Sequence, residues 1–238
     1  MTYPRQPIVI VGGILSFPTV YARMRNALAA CTGLPVWIIG IHGYDWVCSA
    51  RPSGWTRLLR KLDHTVRQAM SESPTAKVTL VAHSAGGLVA RVYLGSEPFM
   101  GCACRGLDYV DHLITLSSPH SYRRRKIHDG WLTGWLEERY PDAYFAPQVK
   151  YTSVAGKVVR GNPGGRLRER FAHAVYRELI GEGDVWGDGL VPVASALLGG
   201  SRQLILEGVS HYTGFGGPWF GAAEVIPRWW NGCLDGTS

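Results

Sequence analysis

Val78-Thr79-Leu80-Val81-Ala82-His83-Ser84-Ala85-Gly86-Gly87-Leu88-Val89-Ala90-Arg91-Val92-Tyr93 changes its period halfway along. Val78 to Val81 is a short, apolar, β-branched run, too brief for a free helix and suited to a buried strand. Beyond the glycines, Leu88, Val89, Val92 and Tyr93 recur at helical spacing. The segment predicts a strand, a sharp turn and a helix, with Ser84 on the turn. A serine hydroxyl is a poor nucleophile. This placement exposes it at the start of a helix, where backbone N–H groups and the helix dipole favour developing negative charge. Ala82 and Gly86 are small where strand and helix nearly touch. The plainer alternative is that Ser84 only caps a helix whose glycines serve packing.

Working outward, Ile8 to Val11 and Val36 to Ile41 are two more apolar runs that read as buried parallel strands. Between them Phe17, Val20, Tyr21, Met24 and Leu28 fall at helical spacing, with Ser16 available as a cap and Pro18 in the first turn. Trp55, Leu58, Leu59, Leu62 and Val66 repeat the pattern, with Ser53 as the candidate cap. Later strand candidates are His112 to Leu116, Tyr151 to Val154 and Gln203 to Leu206; helical patterns cover Leu167 to Leu179, Val193 to Leu198 and the region after Pro218. This alternation predicts an α/β fold: a mostly parallel sheet with helices on both faces. Residues 118–147 break the rhythm with a basic cluster and many aromatics. They are expected to form a small cap or lid insertion over the sheet's carboxyl edge, where ligands bind in open α/β folds.

The order of elements along the chain and Val81-Ala82-His83-Ser84-Ala85-Gly86-Gly87 resemble the lipase and esterase branch of the α/β-hydrolase superfamily. More narrowly, Val78 to Arg91, Thr115 to His120, Val154-Ala155-Gly156-Lys157, Gly187-Asp188-Gly189-Leu190-Val191-Pro192 and Leu206-Glu207-Gly208-Val209-Ser210-His211 resemble cyanobacterial and plastid hydrolases similar to the inositol deacylase of glycosyl-phosphatidylinositol anchors (PGAP1-like proteins). The resemblance implies the α/β-hydrolase fold and a carboxylic-ester hydrolase that uses a Ser-His-Asp triad and an acyl-enzyme intermediate, with no cofactor. A thioesterase or amidase on the same fold, or a catalytically silent binding protein, are the alternatives, because fold alone does not set function.

In that superfamily the acid and the base follow the nucleophile, each on a loop after a later strand. His211 lies beyond the strand candidate Gln203 to Leu206, in a glycine-rich loop, and is the candidate base. His83 is expected to point away across the turn. Asp188, flanked by glycines, resembles the family's acid loop; Asp184 and Asp111 are the competing carboxylates. The acid would fix the tautomer of the base and stabilise its imidazolium. The oxyanion hole needs two backbone donors. Ala85 would supply one, and Ile14, in Val11-Gly12-Gly13-Ile14, corresponds to the second, although Gly12 stands where related lipases have His. His42-Gly43 carries the more familiar dipeptide but follows the second strand.

Hydrophobic residues make up 46% and charged residues 18% of the 238 positions, enough apolar surface to offset ordering entropy and too little charge for disorder. One domain over residues 1–238 is expected. The sequence shows no run of about 18 apolar residues and no leader pattern, so an intracellular location is expected. The five cysteines, Cys31, Cys48, Cys102, Cys104 and Cys233, read as free thiols, and neither they nor the eight scattered histidines have structural-zinc spacing. No metal is expected. The formal net charge of +7 favours anionic neighbours, but no nucleic-acid-binding motif accompanies it. Arg123-Arg124-Arg125-Lys126 reads as a solvated loop, with peripheral contact to anionic lipid as the functional alternative. Just beyond it, Trp131, Leu132, Trp135 and Leu136 share one helical face, which either packs on the core or covers the site as a lipid-handling lid, with Trp131 and Trp135 touching an apolar acyl chain.

Overall fold

The computed structural model of the protein describes residues 6–14, 18–49, 52–122 and 130–234. In chain order the elements are β1 (Ile8–Val11), α1 (Pro18–Thr32), β2 (Val36–Ile38), α2 (Gly43–Cys48), α3 (Pro52–Ser71), β3 (Val78–His83), α4 (Gly86–Leu94), α5 (Gly106–Tyr109), β4 (Val110–Leu116), α6 (Gly130–Arg139), β5 (Lys150–Lys157), β6 (Val159–Arg160), α7 (Leu167–Ile180), β7 (Trp186–Gly187), α8 (Val193–Ala196), β8 (Arg202–Glu207) and α9 (Ile226–Leu234). Strands pair in the order β2-β1-β3-β4-β5-β8, and every neighbouring pair is parallel.

The period-two alternation of the strands decides which helices cover which face. Val9 and Val11 of β1, with Leu80 and Ala82 of β3, join one core with Trp55, Leu58 and Leu62 of α3 and Leu88 of α4. Ile8, Ile10 and Val81 point the other way, into a core with Tyr21, Met24 and Leu28 of α1 and Trp229 of α9. Because both faces are buried, the strands read as continuous apolar runs.

Three expectations change at element ends. The second strand stops at Ile38, short of Ile41. Ser53 does not cap α3, since the helix already begins at Pro52; a fixed φ and a missing N–H suit proline to the first helical position. The C-terminal helix starts only at Ile226, well after Pro218. Ser16, Phe17 and Arg123 to Lys126 lie outside the described residues. A two-stranded antiparallel ribbon, β6 with β7, stands apart from the main sheet and was not foreseen.

Candidate active site

Ser84 directly follows β3 with φ of 55°, a left-handed conformation costly for a residue with a Cβ. Two contacts hold it there. Its N–H donates to the Leu116 carbonyl at 2.9 Å, and Gly13 lies so close that an added Cβ would sit 2.6 Å from the Ser84 Cβ and 3.1 Å from its Oγ. Gly86 makes the matching approach on the helix side, where a Cβ would be 2.4 Å from the Val11 carbonyl. Strand, turn and helix therefore interlock with the loop after β1, and Ala85 opens α4 beside Ser84.

The other two candidates meet each other. His211 Nδ1 and Asp188 Oδ2 are 2.5 Å apart, and the two side chains are almost completely buried. Asp188 Oδ1 accepts the N–H groups of Leu190 at 2.9 Å and Val191 at 2.7 Å, which fixes the carboxylate. The His211 N–H donates to the Asp188 carbonyl at 3.0 Å, so the loops are joined through their backbones as well. Asp188 directly follows β7, and the β6–β7 ribbon is the device that brings it in. Tyr176 of α7 completes the support: its hydroxyl accepts the Gly189 N–H at 2.8 Å, where Gly189 turns at φ of 104°. On the base side, the Ser210 hydroxyl spans its own loop to the Gly217 carbonyl at 2.7 Å.

The competing residues are elsewhere. Asp184 is exposed and pairs with Arg160 Nε at 2.9 Å. His42 caps α2, with its N–H donating to Asp45 Oδ2 at 2.8 Å. Ile14 is half-buried on the loop that contacts Ser84.

His83 overturns its expectation. It does not point away; its ring is fully buried with its centroid 4.6 Å from that of His211. His83 Nδ1 pairs with the Tyr21 hydroxyl at 2.8 Å, and that hydroxyl accepts the Gly13 N–H at 3.0 Å. Burial, reinforced by the neighbouring His211, holds the His83 pKa well below the usual imidazole range. It is therefore a neutral ring wedged behind the candidate base. Sequence reasoning missed this layer because Tyr21 registers only as one more apolar helical position, and its partners are remote in the chain.

The aromatic face of α6 packs inward. Leu132 and Leu136 are fully buried, and Trp135 meets Phe99 and Tyr140 edge-on, with ring centroids 4.9 and 5.6 Å away. Tyr140 in turn lies against Gly95, which caps the C-terminal end of α4. Nine helical residues span about 13 Å, so these contacts sit a full helix length from Ser84. Trp135 is thus placed as a core contact and is not brought to the site; the side chain of Trp131 lies outside the described residues. Buried Arg91 anchors the segment that follows, donating to the Tyr140 carbonyl at 2.7 Å.

A parallel sheet in the order β2-β1-β3-β4-β5-β8 with helices on both faces is the α/β-hydrolase fold, and here it carries a left-handed serine and a buried carboxylate–imidazole pair at one sheet edge. Residues 55–137 match the PGAP1-like alpha/beta domain family. The chain is similar in structure to EstA from Clostridium botulinum, at 12% identity and a TM-score of 0.60 over 97% of this chain and 87% of that one. It is also similar to phospholipase PlaB from Legionella pneumophila, at 16% identity and a TM-score of 0.64; the match covers 98% of this chain and spans 59% of that one. A gene product from Listeria innocua shares 13% identity with a TM-score of 0.50, over 98% of this chain and 95% of that one. No curated protein matches the chain by sequence. Among the described residues, no helix is long and apolar enough to cross a membrane, and no group of three or more His, Cys, Asp or Glu side chains could hold a metal ion.

Proposed function

We propose that the protein is a serine carboxylic-ester hydrolase of esterase or lipase type. Ser84 Oγ attacks the ester carbonyl while His211 Nε2 takes its proton; Asp188, bonded to Nδ1, keeps the free nitrogen facing the serine and stabilises the imidazolium. The backbone N–H groups of Ile14 and Ala85 receive the oxyanion. The alcohol leaves with the proton held by His211, an acyl group remains on Ser84, and water activated by the same histidine releases the acid.

The observation that carries this reading is the buried pair of His211 and Asp188, 2.5 Å apart, on loops at the sheet edge where Ser84 is held left-handed. A buried carboxylate is costly unless it is paired and hydrogen-bonded, and here three donors converge on it. The substrate class we favour is an uncharged or lipid-like ester with an apolar acyl chain; a phospholipase of the same fold is in keeping with that choice.

The test is hydrolysis of a series of esters of increasing acyl length, with Ser84→Ala as control. Turnover should fall by several orders of magnitude in the variant, since roughly 10⁶-fold rests on such a nucleophile. Covalent labelling by a fluorophosphonate should vanish with it. Equal turnover or labelling in the variant would exclude Ser84 as the nucleophile.

A further inference from the structure

Helix α7 turns two apolar side chains outward at its start. Leu167 is 82% exposed and Phe171, one turn on, 46% exposed, while Trp186 of β7 is 44% exposed. The helix already has a buried stripe in Ala172, Tyr176 and Leu179, and Leu167 lies outside it, while Phe171 is covered on one side only, by Phe215. Arg166, Arg168 and Arg170 are exposed around them. Glu169, the acidic residue of this turn, is drawn into the helix cap, where its Oε2 accepts the Arg166 N–H at 3.0 Å. Nearby, Arg160 is neutralised by Asp184 and Lys157 by Glu207. What remains is an apolar tip flanked by three guanidinium groups against the one carboxylate of Glu169, a turn of net positive charge.

This surface is continuous with the candidate site. The Phe171 and Phe215 rings lie 6.1 Å apart. Phe215 packs on Gly189, next to Asp188, and the Arg168 guanidinium lies against Gly216 in the loop after His211.

We infer that this face of α7 docks the protein on an anionic lipid surface. Leu167 and Phe171 enter the boundary between headgroups and acyl chains, and the three arginines face lipid phosphates, the combination an interfacial helix uses. A second copy seated on the same face would set the arginines of one chain against those of the other, which costs affinity. The docking rests on the lipid-ester reading for its purpose and not for its binding.

The experiment is co-sedimentation of the Ser84→Ala protein with vesicles of phosphatidylcholine alone or with phosphatidylglycerol added. Partition should favour the anionic vesicles and weaken with salt. Leu167→Ser and Phe171→Ser should each weaken it by roughly tenfold, and Arg166→Gln, Arg168→Gln and Arg170→Gln by roughly fivefold each, at unchanged melting temperature. Leu167→Ser alone serves if the Phe171 variant does not fold, because Leu167 is the more exposed. Failure of the parent to bind anionic vesicles, equal partition of all variants, or a dimer in size-exclusion chromatography that Leu167→Ser dissolves would each overturn the proposal. The readout is binding by a protein without Ser84. Ester turnover without partition therefore removes the docking alone, and partition without Ser84-dependent turnover removes the hydrolase reading alone.

Discussion

At the scale of single residues, two carboxylates four positions apart have opposite surroundings. Asp188 is buried and holds His211, whereas Asp184 is solvent-exposed and pairs with an exposed arginine. Surface pairs of that kind contribute about 0–1 kcal/mol. Asp184→Asn should therefore leave ester turnover within about twofold. Asp188→Asn should lower kcat by roughly 10⁴-fold, because an amide in its place favours the wrong tautomer of the base. Side-by-side kinetics of the two variants checks this, and a reversed ranking would move the acid to Asp184.

At the scale of elements, the turn around Ser84 is held by close backbone approach, and the glycines there have no room for a methyl group. Gly86→Ala would drive its Cβ to 2.4 Å from the Val11 carbonyl, so α4 or the loop after β1 must move. Overpacking of this sort costs about 1–3 kcal/mol, and the displaced loop is the one that contacts Ser84. The expected outcome is a lower melting temperature together with a loss of turnover larger than the lost folded fraction explains. Helix α6 makes a different prediction. Since Leu136 is fully buried, Leu136→Ala should cost about 2–5 kcal/mol in denaturant unfolding. Trp135→Ser should reduce turnover of short and long esters alike, through stability; loss confined to long-chain esters would restore the lid reading of that face.

At the scale of the whole molecule, burial sets how stability follows pH. His83 and His120 are held well below the usual imidazole range and His112 is pushed down to about 4, each chiefly by desolvation. An unfolded chain protonates these rings near the ordinary value of 6.5, while the folded one resists. Below that value the unfolded state binds more protons, so folding stability falls as pH drops. The slope approaches about 1.4 kcal/mol per pH unit for each such histidine. Urea unfolding at pH 7, 6 and 5 should show a decline that becomes shallower in His112→Gln. A flat profile would mean that these rings protonate in the folded state.

Much of this architecture is local chemistry and was legible in the chain itself. Apolar β-branched runs become buried strands wherever they lie, and a strand running through Ala82-His83-Ser84-Ala85-Gly86 into helical spacing can make only a tight turn with the serine on it. The order of the candidates Ser84, Asp188 and His211 came from the resemblance to the superfamily, in which the acid and the base follow the nucleophile. Asp188 was already the candidate acid from its likeness to the family's acid loop; that Asp188 and not Asp184 lies against His211 depends on the β6–β7 ribbon, whose two-residue strands are too short to leave a periodic signal. The inward turn of Trp135 and the wedge of His83 between Tyr21 and His211 likewise depend on which elements meet. Periodicity tells which side of a helix is apolar and not what that side touches; contacts between residues remote in the chain are decided only when the sheet assembles and the cores close.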